Sequence, residues 1–420
     1  MVNTKKVLFV TYYWPPSGKA SIHWPLKIIK HLPKFGWQPS VLTAKKDIFS
    51  HKDESLLKEI SNDVKVIKTN SIEPFDLYKK FLGKGKDEIL VPSETISMTN
   101  KSLAHRVSIW IRMNLFIPDA RAGWFFPAIN DGKKFLKKNP HNAVISIGPP
   151  HTAHLIGMRL SKKYNIPHFP VFIDPWTDIV YYQGFKRSAA TKAIDAYLEK
   201  KVLNNAKAVI FINQSTQEDY TGKYNFLKDK SHVLYWGYDE EEFSDINFVT
   251  SSNEEILVHA GNIFDYQNPK KFWKQLKKEI DGGRNLKIKF IGSVSPGIIN
   301  EFKENGLLDS TEYLGFLPYN EMLSELAKAT YLLVCSTEKR HVPGKLFEYL
   351  RTGRPVIAFG DDNEEVKKIL KDTNAGMMFG YDESGEEFFE HSDRFNRDIN
   401  AIKRFNRESI AGELAEIIDI

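Results

Sequence analysis

The sequence predicts an α/β protein built from two doubly wound, Rossmann-like domains in tandem, and three observations carry that expectation. The chain has 420 residues, too many for one hydrophobic core, so two domains of roughly 200 residues each are expected. Short apolar runs of buried-strand type alternate with segments of helical spacing along most of the length, the pattern of parallel sheets covered on both faces. The alternation lapses once, in the polar, acidic stretch from Asp239 to Glu255. That lapse sets domains at 1–240 and 256–393 with a linker at 241–255. The closing segment, 394–420, has helical spacing and no strand after it; it caps the second domain or crosses back onto the first.

Taken in order, Lys6 to Tyr12 is the first strand, and the loop Pro15-Pro-Ser-Gly18-Lys19 leads into a helix expected over Ile22 to Phe35, which Gly36 stops. Further strands are expected at Pro39 to Thr43, Val64 to Lys68, Ala143 to Ile147, Phe169 to Ile173, Ala208 to Ile212 and His232 to Tyr235, with helices at Thr152 to Tyr164 and Ala189 to Leu203. The second series begins at Ile256 to Ala260 and continues through Leu286 to Ile291, Tyr313 to Gly315, Thr330 to Cys335, Pro355 to Phe359 and Gly376 to Phe379. Its helices are expected at Pro269 to Ile280, Tyr319 to Ala327, Gly344 to Arg351 and Asn363 to Leu370.

Composition narrows the class. Apolar residues at 42% supply two cores, and 27% charged residues suit an ordinary surface, so disorder over most of the chain is excluded. The single cysteine, Cys335, excludes an intramolecular disulfide and reads as a small core residue, consistent with a reducing, cytoplasmic setting. Met1 to Trp14 superficially resembles a signal peptide, but Pro15 to Lys19 follows with no cleavage-like pattern. No run of about 18 apolar residues occurs, so neither export nor a membrane span is expected. The net charge of +6 is unevenly spread, with basic and aromatic residues mixed between His105 and Lys138. Such a stretch suits phosphates or an anionic membrane surface, or is simply a solvated helix face; nucleic acid is not needed to explain it.

Ligands of open α/β sheets bind beyond the carboxyl ends of the strands, and two such domains facing one another make an interdomain cleft. The sharpest post-strand motif is His341-Val-Pro-Gly344-Lys345-Leu-Phe-Glu348-Tyr-Leu-Arg-Thr-Gly353-Arg-Pro355. Lys345 falls in the first turn of a helix whose backbone N–H groups attract anions, which makes a phosphate seat. Glu348, one turn on, offers a carboxylate able to accept two sugar-hydroxyl hydrogen bonds. On spacing alone the two also read as an ordinary surface pair.

That segment, with its lysine, its Glu-Tyr and its Gly-x-Pro-Val, resembles the donor-binding signature of glycosyltransferase family 4. The resemblance implies the GT-B fold, a retaining reaction, a nucleotide diphospho-sugar as co-substrate, and Glu348 on the nucleotide ribose. It covers most of the chain except roughly Asp47 to Arg106. Tyr12 to Ser21, with Gly18, resembles the loop after the family's first strand. Ser146-Ile-Gly-Pro-Pro-His151 resembles the segment whose histidine faces the donor sugar, and Phe172-Ile-Asp174-Pro-Trp176 is similar to the family's Asp-Pro-Trp segment. Gly261-Asn262 and Gly292 match the cleft loops of the second domain, and Phe316 sits in the loop whose backbone reads the base. The resemblance therefore implies catalytic roles for His151, Asp174 and Lys345, and donor contacts from Gly18, Gly261, Asn262, Gly292, Phe316, Gly344, Lys345 and Glu348. Two departures stand out: Arg340 occupies the position of a first glutamate in many members, and Asn262 replaces an arginine.

No Asp-x-Asp occurs, which argues against a metal-diphosphate clamp, so no metal and no further cofactor are expected. No Gly-x-Gly-x-x-Gly follows the first strand, no P-loop motif occurs, and no Cys/His cluster suggests zinc. The expected activity is transfer of a sugar to a glycan or lipid-linked acceptor in cell-surface polysaccharide synthesis, with peripheral membrane contact through 105–126. A GT-B sugar-nucleotide epimerase and a non-catalytic nucleotide-sugar-binding protein are the alternatives.

Overall fold

The computed structural model describes residues 4–45, 52–72, 103–179, 185–248 and 253–420, without the side chains of 103–106 and 108. The chain forms two compact units, one of Met1–Tyr235 with Ala411–Ile420, the other of Trp236–Ile410.

The first unit holds a seven-stranded sheet in the order β3-β2-β1-β4-β5-β6-β7. Its strands are β1 Lys5–Val10, β2 Trp37–Ala44, β3 Lys65–Thr69, β4 Ala143–Gly148, β5 His168–Phe172, β6 Val209–Phe211 and β7 Ser231–Val233. Every pairing is parallel. All of β4 and the last four residues of β1 are buried, because helices cover both faces of the sheet. The helices are α1 His23–His31, α2 Leu103–Leu115, α3 Phe125–Lys138, α4 Thr152–Tyr164, α5 Ala189–Asn205 and α6 Gln214–Lys223. The strand order reverses between β1 and β4, so the loops after those strands flank the crevice where doubly wound sheets take ligands.

The second unit holds a six-stranded parallel sheet, β10-β9-β8-β11-β12-β13. Its strands are β8 Glu255–Ala260, β9 Leu286–Ile291, β10 Thr311–Gly315, β11 Tyr331–Cys335, β12 Val356–Phe359 and β13 Gly376–Phe379. Helices follow as α7 Lys270–Asp281, α8 Pro296–Glu304, α9 Tyr319–Lys328, α10 Lys345–Thr352, α11 Glu364–Asp372, α12 Glu386–His391 and α13 Ile399–Lys403; α14 Arg407–Asp419 begins in this unit and from Ala411 on belongs to the first. The core packs Phe272 and Trp273 of α7 on Phe290, Phe302 and Phe359. Here the order reverses between β8 and β11. The crevice is thus bounded by the glycine turn after β8 and the loop from Ser336 to Gly344.

Several sequence expectations change. The helix expected over Ile22 to Phe35 is α1 followed by a 3-10 turn over Leu32–Phe35, because Pro33 lacks the N–H that the α-helical ladder needs. Gly36 does end it, at φ +80°. The strand expected at His232 to Tyr235 lies at Ser231–Val233. Helices α3, α6 and α8 were not singled out. In α6 only Thr216 and Tyr220 are buried, so the segment carries no apolar stripe to read. Helix α2 ends at Leu115, short of Phe116, since Pro118 disfavours helical backbone just before it. Among the described residues no helix is long and apolar enough to cross a membrane.

Candidate functional site

In the second unit the chain leaves β8 on Gly261 (φ +105°) and β9 on Gly292 (φ +108°), backbone that L-residues rarely adopt. A Cβ on Gly292 would lie 2.8 Å from the Gly261 carbonyl carbon and oxygen, so the two turns touch backbone to backbone. Asn262 Oδ1 joins them by accepting from the Ser293 N–H at 3.0 Å, and the Gly292 N–H donates to the Gly315 carbonyl at 2.6 Å. Asn262 is thus occupied in holding the turns together. Phe316, just past β10, is 82% exposed.

The loop from Ser336 to Gly344 delivers α10 to these turns. Buried Asn363 pins it, donating to the carbonyls of Glu338 (3.0 Å) and His341 (2.8 Å) while its own oxygen caps α11 at Val366. Arg340, the departure from the expected glutamate, lies 3.2 Å from Glu338 in an ion pair within the same loop. A Cβ on Gly344 would meet the Trp236 indole at 2.9 Å, so the loop has no room for a side chain there. Tyr349, fully buried, accepts from the Ala260 N–H at 2.8 Å and locks α10 against the end of β8.

This lock sets the position of Lys345. A Cβ on Gly261 would stand 2.9 Å from Lys345 Nζ, so the ammonium lies against the glycine turn at the α10 N-terminus. Its Nζ is 3.2 Å from Nε2 of His259, a buried residue of β8. Burial lowers the Lys345 pKa to about 8, against the opposing fields of Cys335 and Glu348. Burial also raises the Glu348 carboxyl above its ordinary value, opposed by the Tyr319 hydrogen bond and by Arg407 and Lys345. Tyr319 donates to Glu348 Oε1 at 2.7 Å. The unit therefore brings Gly261, Asn262, Gly292, Gly344 and Lys345 together, with Glu348 one helical turn away: a cation and a helix terminus for an anion, beside an acceptor for hydroxyls.

The first unit carries the other expected residues. Gly18 lies in the partly buried loop after β1, one residue past buried Ser17. His151 precedes α4 but makes no capping hydrogen bond. Asp119 does that work, accepting from the Thr152 N–H at 2.8 Å and its hydroxyl at 3.0 Å. His151 is instead 3% exposed and stacks on Trp176, ring centroids 4.9 Å apart and planes 5° from parallel. Burial drives its pKa down to about 3, so it is neutral at physiological pH, an acceptor or tautomer-dependent donor rather than a cation. Asp174 lies just past β5, partly buried, two residues before Trp176.

The Trp176 loop is held by residues that the sequence reading did not name. Trp176 donates through Nε1 to Asp195 at 2.6 Å and through its N–H to the Tyr220 hydroxyl at 2.8 Å. Glu199, one turn beyond Asp195 on α5, accepts from the N–H and hydroxyl of Thr177, both at 3.0 Å. Both carboxylates are completely buried. Beneath the loop, Ser146 bridges His154 (2.8 Å) and His168 (2.7 Å), and burial keeps both histidines neutral. For Ser146 and His168 the signal in the sequence was polarity inside or beside an apolar strand run; for Asp195 and Glu199 the spacing gave none.

In the basic-aromatic segment, Arg106 lies outside the described side chains. Met113, Asn114 and Trp124 are core residues; Asn114 accepts from the Ser188 N–H at 2.6 Å and Trp124 donates to the Thr69 hydroxyl at 2.7 Å. Trp110 is 51% and Phe126 76% exposed.

Residues 254–397 match the family model described as glycosyl transferases group 1. No curated protein sequence matches the chain. Solved structures similar to it include a glycosyltransferase from Rickettsia africae (12% identity, 99% of this chain and 98% of that one, TM-score 0.62). Sucrose-phosphate synthase from Thermosynechococcus elongatus is 13% identical over 98% of both chains, with a TM-score of 0.60. HepE from Anabaena in complex with UDP and glucose is 12% identical over 99% of both, with a TM-score of 0.58. At these identities the likeness establishes the fold, two parallel-sheet Rossmann-like units of the GT-B class.

Proposed function

We propose that this chain, whose second unit matches the group 1 glycosyltransferases over residues 254–397, is a retaining glycosyltransferase that moves a sugar from a nucleotide diphospho-sugar to a glycan or lipid-linked acceptor in cell-surface polysaccharide synthesis. The observation that carries the reading is the Lys345 ammonium lying against the Gly261 turn at the N-terminus of α10. A diphosphate seated there meets a full positive charge and the positive end of a helix dipole, which stabilise the leaving group as the sugar–oxygen bond breaks. The electron pair of that bond goes to the diphosphate. The acceptor hydroxyl forms the new bond to the sugar carbon, and its proton passes to a diphosphate oxygen. Lys345 and the helix terminus stand in place of a metal ion. Glu348 accepts the ribose hydroxyls, the Phe316 backbone faces the base, and Gly18, His151 and Asp174 serve the sugar and acceptor from the first unit.

The test is nucleotide binding. UDP is the first probe, because HepE structures hold UDP and UDP-glucose; GDP-, ADP- and TDP-sugars follow. Glu348→Ala is expected to weaken binding of the preferred donor by about 1.5–3 kcal/mol, the scale of a charged hydrogen bond. EDTA is expected to leave wild-type affinity and initial rate unchanged. An affinity indifferent to Glu348→Ala removes the ribose assignment; an activity abolished by EDTA and restored by magnesium or manganese removes the metal-free one.

The acceptor side of the proposal includes reversible contact of 105–126 with anionic lipid at the cytoplasmic membrane face, supported by the exposed rings of Trp110 and Phe126. Trp110→Ala with Phe126→Ala is expected to reduce sedimentation with phosphatidylglycerol vesicles while UDP binding is retained. Equal sedimentation of both proteins leaves the segment a structural one.

A further inference from the structure

Resting on the donor site proposed above, we infer that His259 is a positioning residue that aims the Lys345 ammonium at the incoming diphosphate. His259 is 1% exposed, the one polar residue in the apolar run from Ile256 to Ala260. Its Nδ1 lies 2.9 Å from the Leu333 carbonyl of the neighbouring strand β11. A carbonyl only accepts, so Nδ1 carries the ring proton and Nε2 presents its lone pair. That lone pair is what Lys345 Nζ meets at 3.2 Å, and the ammonium donates to it. The imidazole stays neutral: burial first, then the Lys345 charge, hold its pKa well below the ordinary value, with the backbone of Leu333 and Asn262 opposing.

The choice of a neutral partner has a consequence. A lysine side chain is rich in rotamers, and an anion that has to order it loses affinity in doing so. A carboxylate in place of His259 would order the chain equally well but cancel its charge. Among the described residues no carboxylate lies within ion-pair distance of Lys345 Nζ. His259 thus fixes the ammonium through a ring anchored to backbone and leaves the whole charge for the ligand.

Two replacements separate the two ring nitrogens. His259→Gln keeps an acceptor near the Nε2 position, and His259→Asn keeps a donor for the Leu333 carbonyl but is too short to reach Lys345. The probe is UDP, or whichever nucleoside diphosphate binds the wild type, titrated calorimetrically at pH 7 against both variants, Lys345→Met, and His259→Asn combined with Lys345→Met. His259→Asn is expected to weaken binding about tenfold and His259→Gln less than threefold. The double variant is expected to bind as Lys345→Met does, because a positioning residue has nothing left to position. Wild-type affinity in His259→Asn, or a further tenfold loss in the double variant, overturns the role of His259. Unchanged affinity in Lys345→Met instead overturns the donor site itself. If His259→Asn loses its cooperative melt, His259→Gln decides: affinity within threefold of wild type supports the role and a tenfold loss overturns it.

Discussion

Glu199→Ala is expected to lower the stability of the first unit by about 2–5 kcal/mol, since each buried donor left without its acceptor costs about 1–3 kcal/mol. The carboxylate is an acceptor hub with no access to water. Oε2 takes the Thr177 N–H and hydroxyl and the Tyr220 hydroxyl (2.9 Å), while Oε1 takes Lys223 Nζ (2.9 Å) and the Tyr224 hydroxyl (2.8 Å). Burial works against the Lys223 ammonium, yet Glu199 and then Asp178 more than offset it, so its pKa is raised. Alanine leaves the buried Tyr220 hydroxyl and the Thr177 N–H without their acceptor, while Lys223, 35% exposed, keeps Asp178. Glu199→Gln, which keeps one acceptor oxygen and the shape, is expected to lose less. Urea unfolding followed by Trp fluorescence reads both. A loss under about 1 kcal/mol for the alanine variant, within the range of an exposed pair, sinks the account.

Lys345→Ala is expected to weaken nucleoside diphosphate binding at pH 7 by roughly 100-fold, about 3 kcal/mol, at the upper end for hydrogen bonds to charged groups. The pH dependence gives an independent signature. In the free protein the Lys345 pKa is about 8, and a bound diphosphate raises it. Binding is therefore at full strength below about pH 7. It falls as pH rises through 8, approaching tenfold per pH unit until the pKa of the complex is reached. Lys345→Arg, which stays charged throughout, is expected to flatten the profile. Wild-type affinity that holds constant from pH 7 to 9.5 contradicts the assignment, since the ammonium would then be neither depressed nor in contact with the diphosphate.

By itself the sequence determined the class of fold. Strands covered on both faces have to be apolar runs, so β1, β4, β8 and β11 were legible from composition alone. Gly261 and Gly292 were picked out only by resemblance to the family's cleft loops, and Lys345 because a cation at a helix start suits an anion; that the two glycine turns touch backbone to backbone came from the structure. The local rules misjudged ends, as with the 3-10 turn that Pro33 imposes after α1.

Only the tertiary structure decided which polar side chains are working parts. Asp195 and Glu199 sit one turn apart on α5 and by spacing alone read as a solvated face; their partners Trp176 and Thr177 lie 19 and 22 residues away. The cap of α4 comes from Asp119, 33 residues before it, and not from the adjacent His151. His259 meets Lys345 across 86 residues, and Tyr349 meets Ala260 across 89. Periodicity and propensity report a residue's neighbours along the chain. The desolvation that makes a carboxylate a hub or an imidazole a neutral acceptor is set by strand order and helix packing, which bring distant segments together.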